Sequence, residues 1–246
     1  MFDSAPLPPI TRTSKIFVLT GAGISAESGL STFRDSGGIW EQHKIEDIAT
    51  PEAFERDPLK VWHFYKERRR NIRSAVPNPA HYALAKLEKN LPVENFTLVT
   101  QNVDNLHRLA GSQNPYHMHG ELSKLRCVDC HTVTENLEDF KGLPFCRCNG
   151  LLRPHVVWFN EMPFYLDVIL DRLHECDIFV AVGTSGQVYP AAGFAGRAKS
   201  RGATTIGINT ESPANMEYYD YFFKEKASVA LPMLIEKWIV DIKKGT

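Results

Sequence analysis

The stretch Ile16-Phe17-Val18-Leu19-Thr20-Gly21-Ala22-Gly23-Ile24-Ser25 decides the expected fold. It begins with an unbroken apolar run of strand length, which is typical of a strand buried on both faces of a parallel sheet. The run ends in two glycines, which let backbone N–H groups approach a phosphate at the start of a helix. A plain tight turn is the alternative for such a glycine pair. The position directly after a first buried strand favours phosphate or dinucleotide binding.

The residues after this loop do not continue as a smooth helical pattern. The third glycine of a dinucleotide fingerprint falls at Ala26, a replacement that the fingerprint tolerates. Two polar, turn-rich stretches follow, Glu27-Ser28-Gly29 and Thr32-Phe33-Arg34-Asp35. We therefore expect this segment to cover a bound cofactor.

Further apolar runs of the same kind lie at 96–99, 178–182 and 204–208, and a fifth candidate strand lies at 156–159. Helical patterns lie between them, at 79–89, 166–175, 191–199 and 231–243. Strands that alternate with helices predict a doubly wound α/β sheet. Two stretches interrupt the alternation, a helical and charged one at 40–73 and a polar, turn-rich one at 127–150. We interpret both as insertions.

Composition excludes several classes of protein. The chain has 246 residues, a formal net charge of −1, 43% hydrophobic and 23% charged residues, as expected of a globular protein and not of a disordered one. A net charge near zero argues against nucleic acid as the main partner. No run approaches the roughly 18 apolar residues of a membrane span, and the N-terminus has no apolar core of signal-peptide length. We expect a cytoplasmic protein with no membrane partner.

Four of the five cysteines fall in one short stretch, at Cys127, Cys130, Cys146 and Cys148. In a reducing compartment such a cluster favours a metal site over two disulfides. Four thiolates around Zn²⁺ form a closed tetrahedral set, so the metal would be structural. The second pair is one residue tighter than the usual spacing, and a degenerate module without metal is the alternative. Cys176 lies in an apolar helical pattern, which predicts a core residue.

Three more polar motifs directly follow predicted strands. They are Gln101-Asn102-Val103-Asp104, Gly183-Thr184-Ser185 and Asn209-Thr210-Glu211. The carboxyl ends of parallel strands form the ligand crevice of such a sheet. Amides and a carboxylate can hydrogen-bond a carboxamide or ribose hydroxyls, although helix capping by Asn102 or Asp104 explains the first of these motifs equally well. With the glycine-rich loop, four polar loops at one sheet edge indicate a binding site.

One histidine, His119, precedes a glycine on the segment between the predicted sheet and the cysteine cluster. Such a residue can act as a general base near neutral pH. The chain has nine histidines, and a hydrogen-bonded structural role is the alternative for any one of them.

Together these motifs resemble the sirtuins, a family of NAD-dependent protein lysine deacylases. The glycine-rich loop, Thr32-Phe33-Arg34, the loop at 101–104, His119-Gly120, the cysteine cluster and the loops at 183–185 and 209–211 occur in the family's order, from about Lys15 to the C-terminus. The sequences at 25–29 and 183–186 are similar to the class III branch, which includes bacterial deacylases and the mitochondrial desuccinylase.

The resemblance implies one deacylase unit over 1–246 with two parts. A Rossmann-like parallel sheet domain, approximately 15–40, 75–120 and 152–246, would bind NAD. A smaller inserted module, approximately 41–74 and 121–151, would be helical and bind structural Zn²⁺.

The resemblance also implies a reaction and residue roles. In sirtuins the acyl-lysine oxygen attacks the ribose carbon of NAD, nicotinamide leaves, and a histidine then deprotonates a ribose hydroxyl, so that free lysine and O-acyl-ADP-ribose form. His119, Asn102 and Asp104 match the catalytic positions. Phe33 would shield the reactive carbon from water and Arg34 would order its loop. The cofactor-binding positions are matched by Gly21, Ala22, Gly23, Ser25, Phe33, Arg34, Trp40, Gln101, Asn102, Val103, Asp104, Gly183, Thr184, Ser185, Asn209, Thr210, Glu211 and Ala227.

Two residues bear on the acyl group. Tyr65 and Arg68 stand three apart on a predicted helix at 61–70 and so share one face. In the branch that this chain resembles, a Tyr-x-x-Arg pair grips the carboxylate of succinyl- or malonyl-lysine, and a small residue, matched by Ala49, opens the pocket. The alternative is that Arg68 belongs to a solvated run of three arginines.

The expected partners are acylated-lysine peptides and proteins. We expect the peptide to add as a strand between 156–159, which includes Val157 and Phe159, and the loop at 186–189. Strand addition recognises backbone and therefore tolerates many sequences.

Three other functions compete with deacylation. An NAD-dependent dehydrogenase would also use a glycine-rich loop and would produce NADH. A mono-ADP-ribosyltransferase would share the cofactor and much of the site. A zinc-stabilised module that binds acylated peptide without turnover would leave the acyl-lysine unchanged, although the presence of His119, Asn102 and Asp104 together speaks against it.

Overall fold

The computed structural model describes residues 7–32 and 44–244. Nine strands fall in these ranges: β1 Ile16–Thr20, β2 Phe96–Thr100, β3 Tyr116–His117, β4 Gly120–Cys127, β5 Val133–Glu135, β6 Leu152–Val156, β7 Ile178–Val182, β8 Thr204–Asn209 and β9 Tyr221–Lys224. Six of them form a parallel sheet in the order β3-β2-β1-β7-β8-β9. The predicted strands at 16–19, 96–99, 178–182 and 204–208 are confirmed.

The α-helices of the described residues are Ile45–Ile48, Pro51–Arg56, Pro58–Ser74, Pro79–Asn90, Leu106–Leu109, Leu166–His174, Phe194–Ser200 and Ala227–Lys244. Short 3₁₀ turns lie at Ala22–Ile24, Ala26–Ser28, Val93–Asn95, Ala191–Gly193 and Met216–Tyr218. Local chemistry sets several helix starts, because Thr50, Asp57 and Asn78 each accept a backbone N–H at an N-cap before a proline. The predicted final helix begins four residues earlier than expected, at Ala227.

Helices cover both faces of the parallel sheet, which explains its unbroken apolar strands. On one face, the helices Pro79–Asn90 and Ala227–Lys244 pack over Val18, Leu98 and Val180. On the other, the helices Leu166–His174 and Phe194–Ser200 pack over the alternate residues. The predicted fold class, a Rossmann-like parallel sheet with a smaller inserted unit, is confirmed.

The smaller unit contains an antiparallel sheet in the order β5-β4-β6. The prediction of a strand at 156–159 is wrong. That strand is Leu152–Val156, and it pairs antiparallel with β4. The residues after it leave the sheet because the N–H groups of Val157 and Phe159 donate to the carbonyls of His119 and Ala49. Residues 157–159 are apolar although they lie in the wall of a cleft and not inside a sheet.

The helix Pro58–Ser74 packs on this small sheet through a third apolar cluster, which includes Trp62, Tyr65, Leu125 and Trp158. The described part of the predicted helical insertion at 40–73 therefore forms a helical layer over the small sheet. The domain boundaries themselves stay a prediction. None of the described helices is both long enough and apolar enough to cross a bilayer.

Arg69 ties this helix to the segment after β5. Its buried guanidinium donates to the carbonyls of Leu122, Asn136 and Glu138 and to the Asn136 side chain. Arg70, the next residue, is exposed and pairs only at the surface with Asp139. The two neighbours therefore differ in what they contribute to stability.

We expect Arg69→Met to lower the free energy of unfolding by about 3 kcal/mol, because it removes the donors from the buried Leu122 carbonyl and from the Asn136 and Glu138 carbonyls. Arg70→Met is the matched control and should cost about 0.5 kcal/mol, as exposed ion pairs do. Urea denaturation followed by circular dichroism measures both. Equal losses in the two variants would show that Arg69 does not hold the helix.

Candidate active site

A cleft of about 860 Å³ lies at the carboxyl ends of β1, β2, β7 and β8. Among the predicted site residues, those that line it are Gly21, Ala22, Gly23, Ala49, Tyr65, Arg68, Gln101, Asn102, Val103, His119, Val157, Phe159, Gly183, Thr184, Ser185, Asn209, Thr210 and Glu211. The structure therefore brings all four polar loops, the histidine and the Tyr65–Arg68 pair to one place.

The remaining predicted residues lie elsewhere. Ser25 and Asp104 are buried just behind the cleft wall, where Ser25 contacts both Asp104 and Asn102. Ala227 begins the last helix and is buried in the core cluster over the parallel sheet; it is not among the residues that line the cleft. Phe33, Arg34 and Trp40 lie outside the described residues, so their roles stay predictions.

Glycines set the floor of the cleft, where the loops after β1 and β7 meet backbone to backbone. The Gly21 N–H donates to the Val182 carbonyl and the Gly23 N–H donates to the Gly183 carbonyl, both at 2.9 Å. A Cβ on Gly23 would lie 2.7 Å from the Gly183 Cα, and Gly183 itself has a φ of 61°. Larger residues at these positions would force the two loops apart.

Ser25 is the centre of a buried hydrogen-bond network behind the cleft. Its hydroxyl donates to the Asp104 carboxylate at 3.0 Å and accepts from the Asn102 amide at 3.1 Å. The Asn102 amide also donates to the Gly21 carbonyl. The glycine loop and the loop after β2 are therefore held in one fixed arrangement.

His81 supports the network from the helix Pro79–Asn90. Its Nδ1 accepts the Asn78 backbone N–H in a capping box, so a neutral ring carries its proton on Nε2, 3.5 Å from the Ser25 hydroxyl. Burial lowers the pKa of His81 to about 4, so the ring is neutral near pH 7. Burial also raises the pKa of Asp104, against hydrogen bonds from Leu106 and Ser25 and the charge of Arg68.

His119 lies in the wall of the cleft with its Nδ1 3.0 Å from the Gln101 carbonyl. A carbonyl only accepts, so Nδ1 carries a proton and Nε2 is the basic nitrogen of the neutral ring. Burial lowers the pKa of His119, and the bond to Gln101 opposes this in part. The hydrogen bond to Gln101 therefore fixes the tautomer of the neutral imidazole and leaves its unprotonated Nε2 as the base.

Tyr65 and Arg68 line the other part of the cleft, beside the buried Ala49. The run of three arginines has three environments, since Arg68 is half-buried in the cleft wall, Arg69 is buried and Arg70 is exposed. The solvated-run alternative therefore does not describe Arg68. Burial lowers the pKa of Arg68, while the nearby Tyr65 and Asp104 favour its charged form.

Sequence reasoning missed several residues of the cleft. They are 160–163, Leu166, Pro190 and 212–214. Thr32, Val156, Trp158 and 187–189 also line the cleft; they lie in segments expected at the site, but no individual role was predicted for them. The sequence contained a signal for 160–163, because Asn160 follows the apolar run directly and asparagine is favoured in turns. In the structure Asn160 has a φ of 71°, a turn conformation. The most consequential of these residues is Trp158, whose indole contacts Tyr65.

The four predicted cysteine ligands come together. Their sulfurs all lie within 4.8 Å of one another, with Cys127 and Cys148 3.5 Å apart and Cys130 and Cys146 3.7 Å apart. These distances are far longer than a disulfide bond of about 2.05 Å and fit the roughly 3.8 Å between sulfurs in a tetrahedral Zn²⁺ site. The set fits structural zinc. Cys176 is buried in the core, as predicted.

The profile of the Sir2 family matches residues 21–190, which include the glycine loop, the loop at 101–104, His119 and the cysteine cluster. The chain belongs to the Sir2 family. The resemblance to sirtuins drawn from the motifs is thereby confirmed, and the dehydrogenase alternative loses its support.

Similar proteins agree with this Sir2 membership. The "NAD-dependent protein deacylase" of Vibrio cholerae is 50% identical over 227 residues, covering 90% of this chain and 92% of its own. The protein of the same name from Escherichia coli strain K12 is 47% identical over 251 residues, covering 100% and 89%.

Solved Sir2 structures have the same fold. A Sir2 homologue in complex with ADP-ribose is 39% identical, with a TM-score of 0.86 and 91% of each chain covered. A Sir2 homologue in complex with NAD is 40% identical, with a TM-score of 0.81 and coverage of 90% and 88%. A Sir2 complex with a p53 peptide and NAD⁺ is 28% identical, with a TM-score of 0.79 and coverage of 91% and 92%.

The cysteine cluster predicts about one zinc ion per chain in the purified protein. Cys130→Ser and Cys146→Ser should each lose the metal, because a hydroxyl is a poor replacement for a thiolate ligand. Cys176→Ser is the control and should keep it. Elemental analysis by mass spectrometry measures the content. Retention of zinc by Cys130→Ser, or loss by Cys176→Ser, would contradict the assignment.

Proposed function

We propose that this protein is an NAD-dependent protein-lysine deacylase that removes acidic acyl groups, succinyl and malonyl, as well as acetyl, and releases nicotinamide and O-acyl-ADP-ribose. Family membership supports the deacylase activity. The observation that carries the acyl preference is that Tyr65 and Arg68 line the same cleft as His119 and the four loops.

The four loops are proposed to hold NAD. The N–H groups of Gly21 and Gly23 already donate to the Val182 and Gly183 carbonyls. The glycines would therefore mainly let the phosphates lie close to the backbone, with the Ala22 N–H left to donate to them. Ser185, Asn209 and Glu211 would hold the adenosine half. Asn102, fixed by its bonds to Gly21 and Ser25, would contact the nicotinamide ribose. NAD supplies an electrophilic ribose carbon that takes the acyl oxygen as nicotinamide leaves. The shielding of that carbon by Phe33, with Arg34 and Trp40 in the same segment, stays a prediction of the resemblance.

Asp104 has an indirect place in this proposal. Its carboxylate is engaged by the Ser25 hydroxyl and the Leu106 N–H and lies behind the wall. It would fix Ser25 and Asn102 and would add negative charge near Arg68. Ala227 would act at most through the helix that it begins.

His119 is proposed as the general base that takes a proton from a ribose hydroxyl after nicotinamide has left. Its Nδ1 proton is committed to the Gln101 carbonyl, so Nε2 receives the proton. The zinc site would take no part in this step, because four thiolates leave no open position on the metal.

The acylated peptide is proposed to lie between the segments 156–159 and 186–189, which line the cleft at 156–159 and 187–189. The N–H groups of Val157, Trp158 and Phe159 already have partners within the protein. This segment would therefore offer carbonyl oxygens to the N–H groups of the peptide. Ala49, with no side chain beyond Cβ, would leave room for the acyl chain beside Tyr65.

A carboxylate at the end of the acyl group fits the Tyr65–Arg68 pair. Carboxylates only accept hydrogen bonds, and the pair offers two kinds of donor, the N–H groups of a guanidinium and the O–H of a phenol. Burial raises the pKa of Tyr65, so its hydroxyl keeps its proton near pH 7. An acetyl group would not reach these donors and would not depend on them.

Mass spectrometry of one peptide in acetyl-lysine and succinyl-lysine forms, with and without NAD, tests the proposal. We expect NAD-dependent loss of both groups with formation of the matching O-acyl-ADP-ribose. Transfer of ADP-ribose to protein would favour a mono-ADP-ribosyltransferase. Peptide binding with no loss of the acyl group would favour a module that only binds acylated peptide.

Arg68→Met should lower kcat/KM for the succinyl peptide about a hundredfold relative to the acetyl peptide, because it removes a charge-assisted hydrogen bond of about 3 kcal/mol. Arg70→Met, on the same helix but outside the cleft, should leave the ratio as it is. Equal loss of both activities in Arg68→Met would refute the carboxylate role.

The pH dependence of deacylation should report His119. The base must be neutral, so activity falls as the pH drops through the pKa of His119. Because burial lowers that pKa, the acid limb of kcat/KM should lie below about 6.5, the value of an ordinary histidine. His119→Ala should lose most deacylation yet retain exchange of labelled nicotinamide, which precedes the proton transfer. An acid limb of kcat/KM above pH 7 would count against His119 as the base. So would a His119→Ala variant that loses nicotinamide exchange together with deacylation.

A further inference from the structure

Trp158 makes a hydrogen bond that determines how Tyr65 can act. Its indole Nε1 donates to the Tyr65 hydroxyl oxygen at 2.9 Å, and both side chains are 3% exposed. An indole N–H only donates, so the Tyr65 oxygen is the acceptor in this bond. The hydrogen of the Tyr65 hydroxyl must therefore point away from Trp158.

That hydrogen has no acceptor among the residues at 7–32 and 44–244. The one hydrogen bond of the Tyr65 side chain there is the bond from Trp158. Tyr65 lines the cleft beside Arg68. In the proposed function the acyl group ends at this pair, where it would meet a hydroxyl hydrogen that no described residue accepts. A carboxylate oxygen is the acceptor that would complete it.

Trp158 is itself held in place on several sides. Its backbone N–H donates to the Glu161 carboxylate at 2.8 Å. The Arg153 guanidinium lies over its ring, 3.4 Å from the centroid, and bonds both Glu161 oxygens at 2.7 and 2.8 Å. The Phe54 ring packs 5.3 Å from it. The indole N–H is thus aimed at Tyr65 before any substrate binds.

We propose that Trp158 is a positioning residue for acidic acyl groups, which holds the Tyr65 hydroxyl as a hydrogen-bond donor toward the acyl carboxylate. The inference rests on the proposed function and adds a residue to it. Without the indole N–H, the Tyr65 hydroxyl is free to turn its hydrogen elsewhere, and the carboxylate loses a donor that was oriented in advance. A neutral acyl chain of the same length makes no such demand.

The test compares succinyl-lysine with butyryl-lysine peptides, which have the same number of acyl carbons and differ in the carboxylate. Trp158→Phe keeps an aromatic ring and removes the N–H. It should lower the ratio of succinyl to butyryl kcat/KM about tenfold, through a higher KM for the succinyl peptide, and Tyr65→Phe should lower the ratio as well. The double variant should show no further fall, because Trp158 acts through the Tyr65 hydroxyl.

Trp62→Phe is the matched control. Trp62 lies on the same helix as Tyr65, is buried, and donates its indole N–H at 2.9 Å to the Leu152 carbonyl and not to a cleft residue. Losing that bond should lower stability without changing the ratio. If Trp158→Phe does not fold, benzothienylalanine at position 158 replaces the N–H by sulfur and keeps the shape of the ring.

An unchanged ratio in Trp158→Phe, or a further tenfold fall when it is added to Tyr65→Phe, overturns the role of Trp158. In either case a selective loss in Arg68→Met leaves the proposed function standing. A native protein that removes acetyl and butyryl groups but no succinyl group overturns both proposals.

Discussion

The backbone contact between the loops after β1 and β7 is the constraint on which the site depends. These neighbouring strands are where the order of the parallel sheet reverses, since β2 and β3 extend to one side and β8 and β9 to the other. A crevice opens at such a point because successive connections leave in opposite directions. Gly23 and Gly183 let the two loops touch at its floor, so that the remaining loops can surround a ligand.

The other wall of the cleft comes from the smaller unit. Arg69 fastens the helix Pro58–Ser74 to the segment after β5, and this leaves Tyr65 and Arg68 facing the loops of the parallel sheet. The cysteine cluster lies in the same unit, at the end of β4 and in the turns before β6. A metal there would stabilise the smaller unit, and four thiolate ligands would leave it no open position for chemistry.

Burial controls the charge of the site more than pairing does. It lowers the pKa of His81 and His119 and raises that of Asp104 and Tyr65. Near neutral pH, the imidazoles of His81 and His119 are therefore uncharged and the phenol of Tyr65 keeps its proton, while Arg68 provides a guanidinium. In the proposed function, this combination would provide a base for a sugar hydroxyl and donors for a carboxylate within one cleft.

The sequence by itself determined the parallel sheet, the four polar loops, the cysteine set and the family, because each depends on residues close together in the chain and on their order. It misplaced the strand at 156–159, since an apolar run does not reveal whether a sheet or a cleft buries it. Only the tertiary structure separated the environments of Arg68, Arg69 and Arg70 and placed the Trp158 indole against Tyr65. These contacts join residues that are distant in sequence, and burial and hydrogen-bond direction exist only once the elements have packed.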